Sequence, residues 1–316
     1  MRVLVAGGAG FIGSHLCDAL VARGDEVVAT DNLSTGRRDN VAHLIDHDHF
    51  VLVEHDITES PGAALSACGR FDAILDFASP ASPDDFANLP LEILAVGSTG
   101  TRNLLDLASA HGARFLLAST SEVYGDPLVH PQDESYFGNV DPVGPRSCYD
   151  EAKRFSEALA SAYERVRGVD VRIARIFNTY GERMRPDDGR VLTNFVTQAL
   201  GGRPITLYGD GSRTRSFCYV ADEVEGLLAV LDGHLVGPVN VGNPEEVTIR
   251  EVAELVRELT GSMSDIVEVP LPAEREGDPQ RRRPDIARIE RELGWRPTTP
   301  LDAGLARMIE SMRFAN

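Results

Sequence analysis

The sequence predicts an α/β protein, a doubly wound parallel sheet with a smaller C-terminal α/β substrate lobe. Three observations predict it. Between Val3 and Val241 short β-rich runs alternate with helical patterns, the rhythm of right-handed crossovers between parallel strands. A glycine turn, Gly7-Gly-Ala-Gly10-Phe-Ile-Gly13, stands between the first β-run and the first helical pattern, where backbone amides and a helix dipole can meet a phosphate. At 316 residues the chain is long enough to bury a large apolar interior without staples.

The elements follow in order. Val3-Leu-Val-Ala6 is the first strand, and the helix after the turn begins at Ser14. Gly7, Gly10, Phe11, Ile12 and Gly13 are the candidate pyrophosphate cradle of this Rossmann-type unit. A second strand, Glu26–Thr30, ends at Asp31, eighteen residues beyond Gly13 and placed to accept from a ribose hydroxyl. Its carboxylate favours NAD over NADP, because it would repel a 2′-phosphate; Arg37 and Arg38 argue the other way but lie farther along a polar loop. Asn32, Ser34, Thr35 and Gly36 form a loop able to line an adenosine, and Asp56 and Ile57 follow the third strand, Phe50–Glu54, to border the adenine. The fourth strand, Phe71–Phe77, runs into Ala78-Ser-Pro-Ala-Ser-Pro83, whose Ser-Pro steps cannot continue a strand. Phe77 and Ser79 are counted with the cofactor and Pro83 with the substrate. One long helix is expected from Pro90 to Ala110, a fifth strand from Arg114 to Ala118, a helix from Tyr149 to about Arg167, and a sixth strand from Val169 to Ile176.

Beyond Asn178 the rhythm changes. Arg190, Tyr208, Arg213 and Arg215 stand among glycine loops, and guanidinium groups fork onto the oxygens of a diphosphate; exposed surface arginines would look the same. Pro238–Val241 returns to the main sheet, which divides the chain into 1–177 plus 218–241 for the cofactor domain and 178–217 plus 242–316 for the lobe.

Composition excludes several classes of function. With 31 basic and 49 acidic side chains and a net charge of −18, the surface repels nucleic-acid phosphates and anionic lipid. Cys17, Cys68, Cys148 and Cys218 are far apart and form no zinc or disulfide pattern, which suits a reducing cytoplasm. His43, His47, His49 and His55 lack the spacing of a metal site, so no metal is expected. No apolar run reaches membrane-spanning length, and no leader is read at Met1.

The chemistry gathers between Ala118 and Lys153. Ser119, Thr120, Ser121 and Glu122 follow the fifth strand at the sheet edge where α/β proteins bind ligands. Tyr149 and Lys153, the only lysine in the chain, are four residues apart and share a helix face. An ammonium beside a phenol lowers the phenol's pKa, so Tyr149 is expected to act as a base on a substrate hydroxyl.

These residues resemble an extended short-chain dehydrogenase/reductase and, within that superfamily, the UDP-glucuronate decarboxylases that make UDP-xylose. The resemblance rests on Ala78–Pro83, Leu117–Pro127, His130-Pro-Gln132, Gly144–Lys153, Arg175–Thr179, Asp188-Gly-Arg190 and Arg282-Arg-Pro-Asp-Ile286, in family order over nearly the whole chain. It implies a redox-neutral cycle on a tightly held NAD. Tyr149, with Thr120 and Lys153, takes the proton of the sugar 4-hydroxyl as C4 is oxidised. The carboxylate, now β to a ketone, leaves as carbon dioxide, and C4 is reduced again. By the same resemblance Arg282 attends the carboxylate, Glu122 the proton at C5, and Ser121 the sugar, while Asn178, Arg190, Tyr208 and Arg215 bind the diphosphate. A homodimer is implied as well, through the helices of Pro90–Ala110 and Tyr149. The chain departs from the family at Asp76, where a histidine is usual, and at Ala95-Val96-Gly97, where Lys-Thr-Asn is common; escape of some UDP-4-ketopentose is the expected consequence. Three alternatives stay open: dTDP-glucuronate as substrate, a sugar-nucleotide 4-epimerase or 4,6-dehydratase, and an idle NAD-binding protein.

Overall fold

The computed structural model describes residues 1–272 and 278–314. Seven parallel strands form the main sheet: β1 (Arg2–Ala6), β2 (Glu26–Asp31), β3 (Phe50–Glu54), β4 (Ala73–Asp76), β5 (Arg114–Thr120), β6 (Val171–Ile176) and, after a long excursion, β11 (Pro238–Val241). Their order, β3-β2-β1-β4-β5-β6-β11, reverses direction of growth between β1 and β4, and at such a switch point the loops part to leave a crevice.

Period-two alternation decides which face each side chain serves. Val3 and Val5 of β1 pack with Leu16 and Leu20 of α1 (Phe11–Ala22), whereas Leu4 and Ala6 turn to the opposite face. There they meet Leu104, Leu105 and Ala108 of the helix Thr101–His111. Both faces are thus buried, which is why the strands read as nearly continuous apolar runs.

The predicted helix 90–110 is interrupted. A short α2 (Pro83–Asn88), opened by the Ser82–Asp85 capping box, is followed by α3 (Pro90–Ala95), a π turn over Val96–Gly100, and α4 (Thr101–His111). Glycine permits the π turn to touch its neighbour: a Cβ on Gly97 would lie 2.8 Å from the Ala152 methyl. Ser156 closes the contact by donating to the Gly97 carbonyl at 2.7 Å. Ala152 and Ser156 belong to α5 (Ser147–Arg167), the longest helix described.

After β6 come β7 (Thr179–Tyr180), α6 (Val191–Leu200), β8 (Ile205–Tyr208), β9 (Thr214–Ser216), β10 (Cys218–Tyr219) and α7 (Val220–Asp232). Beyond β11 lie β12 (Glu246–Thr248), α8 (Ile249–Thr260), β13 (Ile266–Val269), β14 (Arg281–Arg282), α9 (Ala287–Leu293) and α10 (Leu301–Phe314). Small pairings fasten this part together: β9 runs antiparallel to β12 and parallel to β14, and β8 parallel to β13. Phe195, Val252, Val256, Leu305 and Met308 join the same apolar cluster as one face of the main sheet. The lobe is therefore held on the sheet by continuous packing, and β14 brings Arg282 across to the end of β5. Cys17, Cys148 and Cys218 are buried free thiols.

Candidate active site

A cavity of about 500 Å³ runs over the carboxyl ends of β1, β2, β4, β5 and β6, ample for a small-molecule site. At one end is the glycine turn. Gly7 has φ +76°, and a Cβ there would stand 2.5 Å from the Phe77 carbonyl; one on Gly13 would stand 2.0 Å from that of Gly7. Side chains are thus excluded where strand, turn and helix cross. Gly10 caps α1 without a side-chain hydrogen bond and no acidic residue occupies the first turn, so the helix start offers its amides to an anion. Asp31 accepts from the amides of Ala9 at 3.0 Å and Leu33 at 2.8 Å, and burial, only partly offset by those amides, raises its pKa. Asn32, Ser34, Thr35, Asp56, Ile57, Phe77 and Ser79 line the same end. Gly36 does not line it; it backs the Asp31 carboxylate, which leaves a Cβ only 2.7 Å of room. Arg38 pairs with Glu54, and Arg37 lies near Asp39, both pairs exposed. Neither arginine lines the cavity, so nothing there offsets the Asp31 charge for a 2′-phosphate. These residues fit NAD.

At the centre β5 runs two residues beyond the expected end, so Ser119 and Thr120 are strand residues whose hydroxyls are fixed by the sheet. Ser119 donates to Glu157 at 2.6 Å. Tyr149 lies in the first turn of α5, its ring stacked on Phe86 with centroids 4.9 Å apart. The Lys153 ammonium donates to the Ala118 carbonyl at 2.9 Å and sits 5.9 Å from the Tyr149 ring centroid. The expected lowering of the phenol pKa is not found in this state. Burial pushes Tyr149 up to about 12, with the Thr120 hydroxyl acting in the opposite direction. Lys153 is itself lowered by burial and is opposed by Asp76, the charge that faces it. Asp76, buried at the end of β4, accepts from Thr101 at 2.9 Å.

The third part is a knot of charges. Glu122 Oε2 accepts from Arg146 at 2.5 Å and from Arg282 at 3.0 Å. Burial alone would raise the Glu122 pKa, but Arg282 and Arg146 outweigh it and hold the carboxyl well below its usual range. Arg282 is 1% exposed and also donates to the Ser121 carbonyl. It stands behind Glu122 and Ser121 rather than on the cavity wall. Of the two arginines that hold Glu122, Arg146 is the one on the wall, and it also donates to Asp278 at 2.5 Å. Sequence reasoning passed over Arg146, although its place three residues ahead of Tyr149 puts both on one helix face. Asp278 carried no sequence signal.

At the far end Pro83, Asn178, Arg190, Tyr208 and Arg215 line the cavity. Arg190 is tied to Asp188 at 2.7 Å and to the Ala81 carbonyl at 2.9 Å, and Arg185 to Asp85 at 2.8 Å. Arg215 is spent on the carbonyls of Thr214 and Pro279, and burial lowers its pKa to about 10. Arg213 also lines this end and has no ion pair among the described residues. His43 bonds Asp18 on the surface.

Comparison with known proteins agrees with this geometry. The family described as GDP-mannose 4,6 dehydratase matches residues 4–308. The UDP-glucuronic acid decarboxylase 1 of Danio rerio is 51% identical over 98% of this chain and 72% of its own length. Among solved structures, a dTDP-glucose 4,6-dehydratase of Streptomyces venezuelae with NAD bound superposes with a TM-score of 0.89 at 34% identity, covering 99% of this chain and 97% of that one. A UDP-glucose 4-epimerase of Thermus thermophilus in complex with NAD gives 0.88 at 31%, covering both chains completely. The chain belongs to the extended short-chain dehydrogenase/reductases and, within them, to the UDP-glucuronic acid decarboxylase family.

Proposed function

We propose that this protein decarboxylates UDP-glucuronate to UDP-xylose through a 4-keto intermediate, using NAD that is returned to its starting state each cycle. The observation that carries the reading is the Arg146–Glu122–Arg282 arrangement beside Tyr149. An epimerase or dehydratase acting on a neutral sugar also needs Tyr149 and Lys153, whereas a uronate brings a second anion, the sugar carboxylate, to the point where Arg146 lines the cavity.

Gly7, Gly10, Gly13 and the first turn of α1 hold the pyrophosphate of NAD, Asp31 the ribose, and Lys153 the nicotinamide side. Bound there, NAD supplies the acceptor for hydride from C4 and gives it back at the end. Tyr149 receives the proton of the 4-hydroxyl, with Thr120 hydrogen-bonded to the phenolate and Lys153 behind it. Arg146 faces the substrate carboxylate. Once C4 is a ketone, carbon dioxide leaves as electrons pass into an enolate, whose oxygen Tyr149 and Thr120 stabilise. Glu122, kept ionised by its two arginines, orients the water that protonates C5. Arg213 and Arg190 bind the diphosphate, and Arg282 positions Glu122 and Ser121.

Lys-Thr-Asn, common in the family, is replaced by Ala95-Val96-Gly97, with Ala95 and Val96 on the cavity wall. Contacts from longer side chains are lost there, and we expect part of the UDP-4-ketopentose to escape, leaving NADH on the enzyme. Incubation with a panel of nucleotide sugars, read by mass, tests both points. UDP-glucuronate should lose the mass of one carbon dioxide and give UDP-xylose together with the ketopentose. Preference for dTDP-glucuronate would correct the carrier, and UDP-xylose alone at full yield would discard the escape. The same reading takes the protein as a homodimer, because α3 leaves Leu91 and Leu94 exposed and α5 leaves Phe155 exposed. A light-scattering mass of one chain would rule that out. Among the described residues no helix is long and apolar enough to cross a membrane.

A further inference from the structure

Three guanidinium groups, Arg146, Arg215 and Arg282, share a buried volume with three carboxyls, Glu122, Asp150 and Asp278. Fully ionised, the group is neutral. A uronate carboxylate entering against Arg146 brings a fourth negative charge into a poorly hydrated site, where an unbalanced ion costs several kcal/mol. One carboxyl must take a proton, and the geometry distinguishes among the three. Glu122 and Asp278 each hold Arg146 at 2.5 Å. Asp150, 5% exposed on α5, has one oxygen 4.0 Å from Arg146 and the other buried with no hydrogen-bond partner.

We infer that Asp150 takes up a proton when the substrate's carboxylate binds, so that the site is charge-balanced with its substrate and already holds the equivalent of the proton that decarboxylation consumes. The inference rests on the decarboxylase reading and deepens it. Replacement of a carboxylate by hydrogen takes up one proton for each carbon dioxide released, and after the gas departs the charge that held the proton on Asp150 is gone. Arg146, Cys148, Tyr149 and Glu151 face Asp150 from its own helix, Glu122 from the turn after β5, and Arg282 from β14. Burial first, and Glu122 second, push Asp150 up to about 7 against the pull of Arg146 and Arg282, so the free enzyme is poised to accept the proton.

The test compares UDP-glucuronate with UDP-xylose, which lacks the carboxylate, on the NAD-bound enzyme. Above the pKa of Asp150 the proton has to be recovered on binding. The ratio of the UDP-glucuronate KM to the UDP-xylose inhibition constant should then rise about tenfold per pH unit, and stay level below it. In Asp150→Asn the ratio should be independent of pH, with the UDP-xylose constant reporting that the site is folded. A wild-type ratio that is flat across neutrality overturns the inference, as does an Asp150→Asn enzyme that keeps the wild-type slope. Failure of the decarboxylase reading itself would show differently, as no carbon dioxide at any pH.

Discussion

Tyr149→Phe should release carbon dioxide about 10³-fold more slowly than the unaltered protein, the range expected when a positioned acid–base group is removed, while UDP-xylose binds within about twofold. The phenyl ring keeps its stacking on Phe86, so substrate binding and fold are little disturbed. What is lost is the phenol hydroxyl that is hydrogen-bonded to Thr120 and that takes the 4-hydroxyl proton in the proposed reaction. In the resting protein that phenol is pushed up to about 12, chiefly by burial, so it is protonated at neutral pH even with the Lys153 ammonium 5.9 Å from its ring centroid. A stopped-flow record of NADH should show no transient in this variant, and a normal transient would remove Tyr149 from the oxidation step.

Arg282→Gln is the second large loss, of a different kind. Arg282 does not line the cavity, so its removal should leave UDP affinity nearly unchanged and lower kcat by about 10²-fold, the share of a general acid–base partner no longer held in register. Glu122 would keep Arg146 but lose the cation beneath it. Its pKa should rise, and a share of the enzyme should oxidise C4 without protonating C5, seen as NADH that persists. Breaking a buried pair costs about 3 kcal/mol or more, so the melting temperature should fall too. Equal changes in KM and kcat, without persistent NADH, would show that Arg282 contacts the substrate directly.

How much of this was legible in the sequence differs by element. The β1–turn–α1 unit could be read because only glycine fits at Gly7 and Gly13, where backbone and carbonyls approach within 2.5 Å of a would-be Cβ. The sheet could be read because burial on both faces makes its strands uniformly apolar. The break in the helix from Pro90 was not read: periodicity shifts by a single residue at a π turn, and its cause, the approach of Gly97 to Ala152, joins residues far apart in sequence. Tyr149 and Lys153 were found by spacing on one helix. The depressed phenol pKa was not found, because spacing reports the neighbouring ammonium and not the burial that opposes it. The resemblance supplied Glu122 and Arg282, yet only the folded chain shows Arg282 behind Glu122 and Arg146 on the wall. Asp278 joins them from a distant loop, by a contact that leaves no periodic trace in sequence.

The central claim is that carbon dioxide leaves only after C4 has been oxidised on the enzyme. UDP-glucuronate labelled with deuterium at C4 tests it most directly. The label should slow carbon dioxide release or, if a later step limits turnover, appear transiently in the cofactor, and it should be found again at C4 of the UDP-xylose. Carbon dioxide released at the full rate with the label never leaving C4 would contradict the account.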